Sequence, residues 1–375
     1  MNQVLIVDAE LITPYGLGTE TCWQGLLNGE TALAETDRFD TAAFNSKWAG
    51  MVPGLSYHEG KSLVFQMLEK VLETHSIPSD AKLLLATLNG EMDCVEESVL
   101  FDRGEPHACC MTELLRSAQE LCGVVDEGTV VSSACASSTV ALGLAASAIR
   151  NGEYDCAVVV SCDAVSEFLY SGFSSLMALD SNAACPFDEK HNGLTIGEAA
   201  GYVVLMSEER ARREGRTAAG ELAGWGMGND ANHMTGPLRD GFGLARSVEI
   251  ALKVAGIGEE QVDFIAAHGT GTIYNDDMEM AAFHSVFSSP RPTYSVKGGI
   301  GHTMGAAGLV EAVLALKTFE TALVPPSVAL QVPQEQANGW VRGDAVELSA
   351  EYALSTNAGF GGVNASLVLR KGGAQ

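Results

Sequence analysis

The sequence predicts an α/β fold built from two similar halves, on three observations. Apolar runs of strand length alternate with longer helical stretches: QVLIVDA, KLLLATL, GTVVSSA, YDCAVVVSC and GYVVLMS in the first half, DFIAAHG, PTYSV, AVELSA and ASLVLR in the second. Continuous runs of this kind suit strands buried between helices. A plan also recurs. Residues 130 to 151 pass from a strand through a small-residue turn at Cys135 into the helix ASSTVALGLAASAIRN, closed by Gly152, and residues 295 to 318 pass through SVKGGIG and His302 into TMGAAGLVEAVLALKT. Finally, both helices are apolar nearly all round and rich in Ala and Gly, as expected of two helices packed closely at the molecular centre. Cys135 and His302 then stand at equivalent helix starts.

The charged segment SEERARREGR, residues 207 to 216, is the expected link, dividing the chain into units 1–216 and 217–375. A length of 375 residues allows a large core in one domain or two fused halves. The net charge of −26, from 22 basic and 48 acidic residues, excludes nucleic acid and anionic membranes as partners, since phosphate binding needs surplus Lys and Arg. Nine cysteines are an odd number without framework spacing; Cys109 and Cys110 are adjacent and none follows Cys185. The start MNQVLIVDAELITP lacks a basic segment and cleavage site, and the apolar run near 140 to 149 is too short to span a bilayer. A reducing, cytoplasmic setting with free thiols is expected.

Four stretches carry candidate chemistry. In VVSSACASST, Cys135 lies where a strand turns into a helix. A helix start stabilises a thiolate, its free N–H groups can hold an oxyanion, and the small neighbours leave room for substrate. A lone cysteine is still more often a core side chain than a nucleophile. In AAHGTGTIYNDDMEM, His268 sits at a strand end before a glycine-rich loop, and Asp276 and Glu279 share one face of a helical turn. The bland alternative is a strand-capping histidine with helix-capping acids. In SVKGGIGHTMGAAG, Lys297 precedes His302 by five residues. Neither GxxxxGK[ST] nor a full dinucleotide fingerprint is present, so no cofactor is expected. In NAGFGGVNASLVL, glycines flank Phe360, in a loop able to offer a backbone N–H and to swing a ring as a gate, or forming an ordinary tight turn. Without HExxH, HxH or CxxC, no metal site is expected, and no GxSxG elbow starts a serine hydrolase.

In this order and spacing, Cys135, His268, Lys297, His302 and the GFGG loop closely resemble the β-ketoacyl-acyl-carrier-protein synthases, the ketosynthases of the thiolase superfamily. The Cys-His-His set is similar to the elongating branch. The likeness covers nearly the whole chain, including LITPYGLGTETCWQGLLNGE, CPFDEKHNGLTIGEAAGYVVLMSEE and VDFIAAHGTGT. It implies a thiolase-like fold of duplicated halves in α-β-α-β-α layers. It implies that Cys135 takes an acyl group from an acyl carrier protein, that the N–H groups of Cys135 and Phe360 form the oxyanion hole, and that Phe360 is the gate. His268 and His302 would hydrogen-bond the thioester carbonyl of a malonyl extender, stabilising the enolate formed as carbon dioxide leaves. Lys297, paired with Glu279, would support them.

Some positions depart from the family pattern. Gly298 replaces a Ser, Val363 a Thr and Ala199 a Gly. Cys185, His191 and Asn192 replace Arg, Arg and Asp, and the chain is shorter between about 55 and 125 and again before Pro186. The stretch RARREGR is the only basic cluster, so an acidic carrier protein needs either a local patch or a more basic partner. The resemblance thus implies a homodimer, or a heterodimer with a second ketosynthase-like chain as in aryl-polyene and type II polyketide pathways. A non-catalytic chain-length-determining partner subunit, or an acyl transferase without condensation, are the alternatives.

Overall fold

The computed structural model describes residues 3–57, 61–103 and 110–373; Cys109 lies outside them. The first unit runs β1 (Val4–Thr13), α1 (Leu63–Val71), β2 (Lys82–Ala86), α2 (Met111–Cys122), β3 (Thr129–Val131), α3 (Ser137–Asn151), β4 (Cys156–Asp163), α4 (Glu167–Ser175) and β5 (Ala199–Ser207). After α5 (Glu208–Glu214), the second runs β6 (Gly220–Asn229), α6 (Phe242–Ala255), β7 (Phe264–Ala266), α7 (Ile273–Val286), β8 (Thr293–Tyr294), α8 (Ala307–Thr321), β9 (Tyr352–Gly359) and β10 (Val363–Lys371). Strand order in the first unit is β1-β5-β4-β2-β3, and in the second β6-β10-β9-β7-β8. Directions repeat as well: the first two pairings of each unit are antiparallel and the last two parallel. The duplication read from one helix pair therefore extends through each whole unit, and β1 pairs with β6 to join them.

The layers follow from alternation along the strands. On β4, Ala157 and Val159 face an inner core that holds α3 and α8, while Val158 and Val160 face an outer core under α1 and α2. On β10, Leu367 and Leu369 point inward and Val368 points out to the core under α6 and α7. The two apolar helices thus fill the centre of an α-β-α-β-α stack. Gly308 on α8 would place a Cβ 1.9 Å from Thr139 Oγ1 of α3, so only glycine allows that approach. The helix after His302 begins later than expected, at Ala307, behind a short turn at Met304–Ala306.

Two strands of the second unit escaped the sequence reading. β6, GELAGWGMGN, has too many glycines for strand propensity. Those glycines are the reason α6 can lie down on it: a Cβ on Gly226 would sit 1.9 Å from the Ser247 carbonyl oxygen, and one on Gly224 2.2 Å from that of Ala251. β9 was hidden by its polar residues Ser355, Thr356 and Asn357, which are fully buried. Conversely, AVELSA stays out of the main sheet, because Val346–Glu347 pairs only with Leu323–Val324. The charged segment between the units is a helix capped by Ser207 and ended by Gly215, not a free linker. Arg210 is buried there against Asp80, Asp155 and Glu214.

Gly226→Ala should cost about 3 kcal/mol in chemical denaturation, because α6 must lift from the sheet. Gly172→Ala, on α4 with nothing within 4 Å of the new methyl, should be neutral or stabilising by up to about 1 kcal/mol.

Candidate active site

Strand ends carry the candidate residues. Cys135 lies between β3 and α3, His268 between β7 and α7, His302 between β8 and α8, and Phe360 on the β9–β10 hairpin. Because the two units repeat, the two helix starts face each other across the centre. The Cys135 sulfur and the histidine nitrogens all lie within 4.8 Å of one another. The histidine rings are edge to face, with centroids 5.0 Å apart.

The turn at Cys135 is braced locally. Ala134 takes a left-handed conformation, φ +50°, and Ser137 Oγ accepts the Ser133 N–H while donating to the Ala134 carbonyl. Gly359 permits close approach of the hairpin, since a Cβ there would be 3.1 Å from the Cys135 nitrogen. The backbone N–H groups of Phe360 and Cys135 therefore lie against the thiol. Burial pushes that thiol up to about 11, and the Lys297 charge and the two N–H groups only partly oppose it. The thiolate stabilisation expected from the helix start is thus outweighed by desolvation.

Each histidine has its tautomer fixed by its surroundings. His302 Nδ1 accepts the Met304 N–H at 3.2 Å. His268 Nδ1 faces two donors, Asn357 Nδ2 at 3.0 Å and Lys297 Nζ at 3.3 Å. Both rings must therefore carry hydrogen on Nε2. Burial, with the Lys297 charge second, pulls both well below the usual imidazole range, so both are neutral donors. The His302 backbone is pinned by the first unit, through its N–H to the Thr195 carbonyl and its carbonyl to the Gly197 N–H.

Lys297 is fully buried and pairs with Glu311 of α8 at 2.5 Å, not with Glu279 as expected. Lys297 Nζ also donates to the His268 carbonyl. Glu311 accepts from Asn357 Nδ2 at 2.8 Å, and Thr139 of α3 donates to Asn357 Oδ1, closing a network across both central helices. Burial holds Glu311 up at about 7 despite its lysine. Glu279 instead cradles the loop: it accepts the N–H groups of His268 and Gly269 at 2.8 and 2.6 Å. Glu279 reaches the loop from α7, whereas Glu311 reaches Lys297 from the central helix α8. Asp276 accepts the N–H groups of Thr270 and Gly271 in the same way. Glu311 and Asn357 were not singled out beforehand. The signal for Glu311 was an acid inside the apolar run AGLVEAVLAL that opens α8.

A cleft of about 440 Å³ opens onto Cys135, His268 and His302. Phe360 closes one wall, its ring 5.6 Å from that of Phe173 on α4, and Leu176, Met177 and Ile273 line the way out. Among the described residues the Cys-His-His set is the group spaced for a metal ion, but the Lys297 ammonium against His268 Nδ1 opposes a cation there. Of the departures from the family pattern, Gly298 has a reason: a Cβ would lie 1.9 Å from the Val328 carbonyl oxygen, leaving no room for serine.

Residues 127–211 match the beta-ketoacyl synthase N-terminal domain and residues 219–331 its C-terminal domain. The chain is 30% identical to the chloroplastic 3-oxoacyl-[acyl-carrier-protein] synthase I of Hordeum vulgare, over 98% of its own length and 89% of that protein's. The ishigamide ketosynthase/chain length factor is 28% identical, with a TM-score of 0.90 over 99% of this chain and 100% of that one. A type II PKS ketosynthase solved in complex with its acyl-carrier protein is 25% identical, with a TM-score of 0.89 over 99% of each chain.

Lys297→Met should cost about 3–5 kcal/mol by leaving Glu311 buried and unpaired, and adding Glu311→Leu should recover much of it. Without the lysine nothing of comparable size opposes burial and Glu311 is pushed further up, so the loss should be small below about pH 7, where the acid is neutral in both proteins, and grow as the pH rises above it; urea unfolding on either side of pH 7 checks the sign. Alkylation of Cys135, followed at the peptide level, should keep accelerating up to about pH 11 rather than level off near 9.

Proposed function

The chain belongs to the β-ketoacyl synthase family, and from that premise we propose that it catalyses the decarboxylative Claisen condensation of a Cys135-bound acyl group with malonyl-acyl carrier protein, in fatty acid or polyketide elongation. The observation that carries this reading is the pair of neutral Nε2–H donors held beside one thiol and two backbone N–H groups.

In the first half-reaction the Cys135 sulfur attacks the acyl thioester. A carbon–sulfur bond to the cysteine forms, the bond to the carrier breaks, and the thiol proton leaves with the departing carrier thiol. The N–H groups of Cys135 and Phe360 hold the transient oxyanion. In the second, the bond from the malonyl α-carbon to its carboxylate breaks, and the electron pair becomes an enolate whose oxygen accepts from His268 and His302. The enolate carbon then attacks the acyl carbonyl, a carbon–carbon bond forms, and the Cys135 sulfur leaves as a thiolate that takes up one proton from solvent to restore the thiol. Charge appears on that thioester oxygen only as carbon dioxide departs, so preset neutral donors act where stabilisation lowers the barrier.

We assign the partners as an acyl carrier protein and a second ketosynthase-like chain. The cluster RARREGR is largely consumed by ion pairs, since Arg210, Arg213 and Arg216 face Asp80, Asp155 and Glu214. This favours a more basic partner subunit as the carrier's docking surface. The similarity to a ketosynthase/chain length factor pair also supports the alternative, a chain-length-determining subunit, but an intact Cys135 with two armed histidines favours the catalytic half. We further propose that the halves divide near residues 216 and 217 and that the chain works in the cytoplasm. The eight described cysteines are free, and no helix among the described residues is long and apolar enough to cross a membrane.

Incubated with acyl carrier substrates, the protein should gain an acyl adduct by intact mass, and Cys135→Ala should not. His302→Ala should keep the adduct and lose carbon dioxide release from malonyl carrier. Absence of the adduct in the native chain would favour the partner-subunit reading, and full decarboxylation by His302→Ala would refute the role given to that histidine.

A further inference from the structure

Asp163, at the end of β4, is fully buried and has no cationic partner among the described residues, and the condensation mechanism does not use it directly. Its carboxylate is not idle. Oδ1 accepts the Thr87 hydroxyl at 3.0 Å and the Asn89 N–H at 2.9 Å; Oδ2 accepts the Leu88 N–H at 2.9 Å and the Gly305 N–H at 2.8 Å. Three of these donors come from the loop after β2 in the first unit. The fourth comes from the turn that follows His302 in the second. One carboxylate thus ties the two units together at the site.

The turn it holds is an unfavourable one. Met304 has φ +51°, a left-handed conformation that costs a side-chain-bearing residue roughly 1–2 kcal/mol. A Cβ on Gly305 would lie 2.6 Å from Asp163 Oδ2, so the turn is packed onto the acid. The same Met304 presents the N–H that His302 Nδ1 accepts. Without that donor, nothing described at His302 requires its hydrogen to sit on Nε2. Resting on the condensation reading, we propose that Asp163 is a positioning residue. It anchors the peptide after Met304, which holds the left-handed turn, which fixes His302 as an Nε2–H donor for the decarboxylation half-reaction. Burial without a cation pushes Asp163 up to about 6, so its four donors keep an acid here that desolvation alone would neutralise.

The role predicts a split between half-reactions. Cys135 is presented by α3 and the β9–β10 hairpin, and among the described residues no hydrogen bond joins either to Asp163; the Asp163 charge reaches the thiol only as a minor influence that raises it, so acyl loading should not fall when that charge is removed. Asp163→Asn keeps the volume but turns an amide N–H₂ toward one set of donors. It should lower carbon dioxide release from malonyl carrier by about 10- to 100-fold while acyl loading stays within about 3-fold. In ¹⁵N-histidine-labelled protein, His302 should change from a single Nε2–H pattern to a mixture of tautomers. Thr87→Val removes one donor that steadies the carboxylate and should move both readouts the same way by a smaller factor; it carries the test if Asp163→Asn fails to fold. A pure Nε2–H pattern with undiminished carbon dioxide release in either folded variant would overturn the proposal. So would an equal fall of loading and release, which marks a merely structural residue. The tautomer measurement needs no turnover, so it judges this role even if the native chain forms no adduct and the condensation reading itself falls.

Discussion

The ammonium of Lys297, buried against Glu311, is the interaction on which the rest of the site depends. A lone lysine at that depth would lose its proton or unfold its surroundings. Glu311 neutralises it, and Asn357 and the His268 carbonyl use the remaining hydrogen-bonding capacity of the pair. The ion pair is therefore weak evidence for stability and strong evidence for orientation. Lys297 and Asn357 together leave His268 Nδ1 no role but acceptor. That Glu311 and Thr139 come from the two central helices makes the tautomer of one histidine depend on how the two halves pack.

Much of the fold was legible because its strands are continuous apolar runs and its central helices are small and apolar on every side. The elements that were missed share one physical cause. β6 reads as a loop since its glycines serve the helix above it rather than strand propensity, and β9 reads as polar since Asn357 and Thr356 are buried among hydrogen-bond partners rather than exposed. The site was legible as four motifs, and the structure brings Cys135, His268, His302 and Phe360 to one cleft. What one dimension did not reveal was pairing. Spacing offered Glu279 to Lys297 by proximity in the motif, whereas the acid that reaches it lies fourteen residues further on, about one turn into α8. The balance between a helix start and desolvation at Cys135 was equally invisible, because it depends on how completely the pocket excludes water.

Duplication explains why so much converges in one place. Corresponding loops of the two units end up on the same side of the stack, so the β3–α3 and β8–α8 turns, each at the start of a buried helix, meet at the interface. The thiol comes from one, His302 from the other. The cross-links between them are polar and local: Thr195 and Gly197 hold the His302 backbone, and Thr139 reaches Asn357. Small residues at Gly308, Gly359 and Gly305 let backbones approach to the distances these bonds need.

The charge of each group fits the proposed chemistry better than its reverse would. A malonyl group enters with a full negative charge on its terminal carboxylate, and that charge moves to the thioester oxygen as the carbon–carbon bond breaks. A cationic imidazolium near the carboxylate would hold the charge where it starts and stabilise the ground state. Neutral Nε2–H donors aimed at the thioester oxygen favour only the enolate. Burial does most of the work of keeping them neutral, and the lysine placed behind His268, its ammonium paired with Glu311, adds to it without being available to the substrate. The net charge of the whole chain acts from the surface through screening solvent, so it bears on which proteins dock and hardly on this exchange. The site's electrostatics are set within a few ångströms by burial, by the Lys297–Glu311 pair and by the neighbouring carboxylate of Asp163.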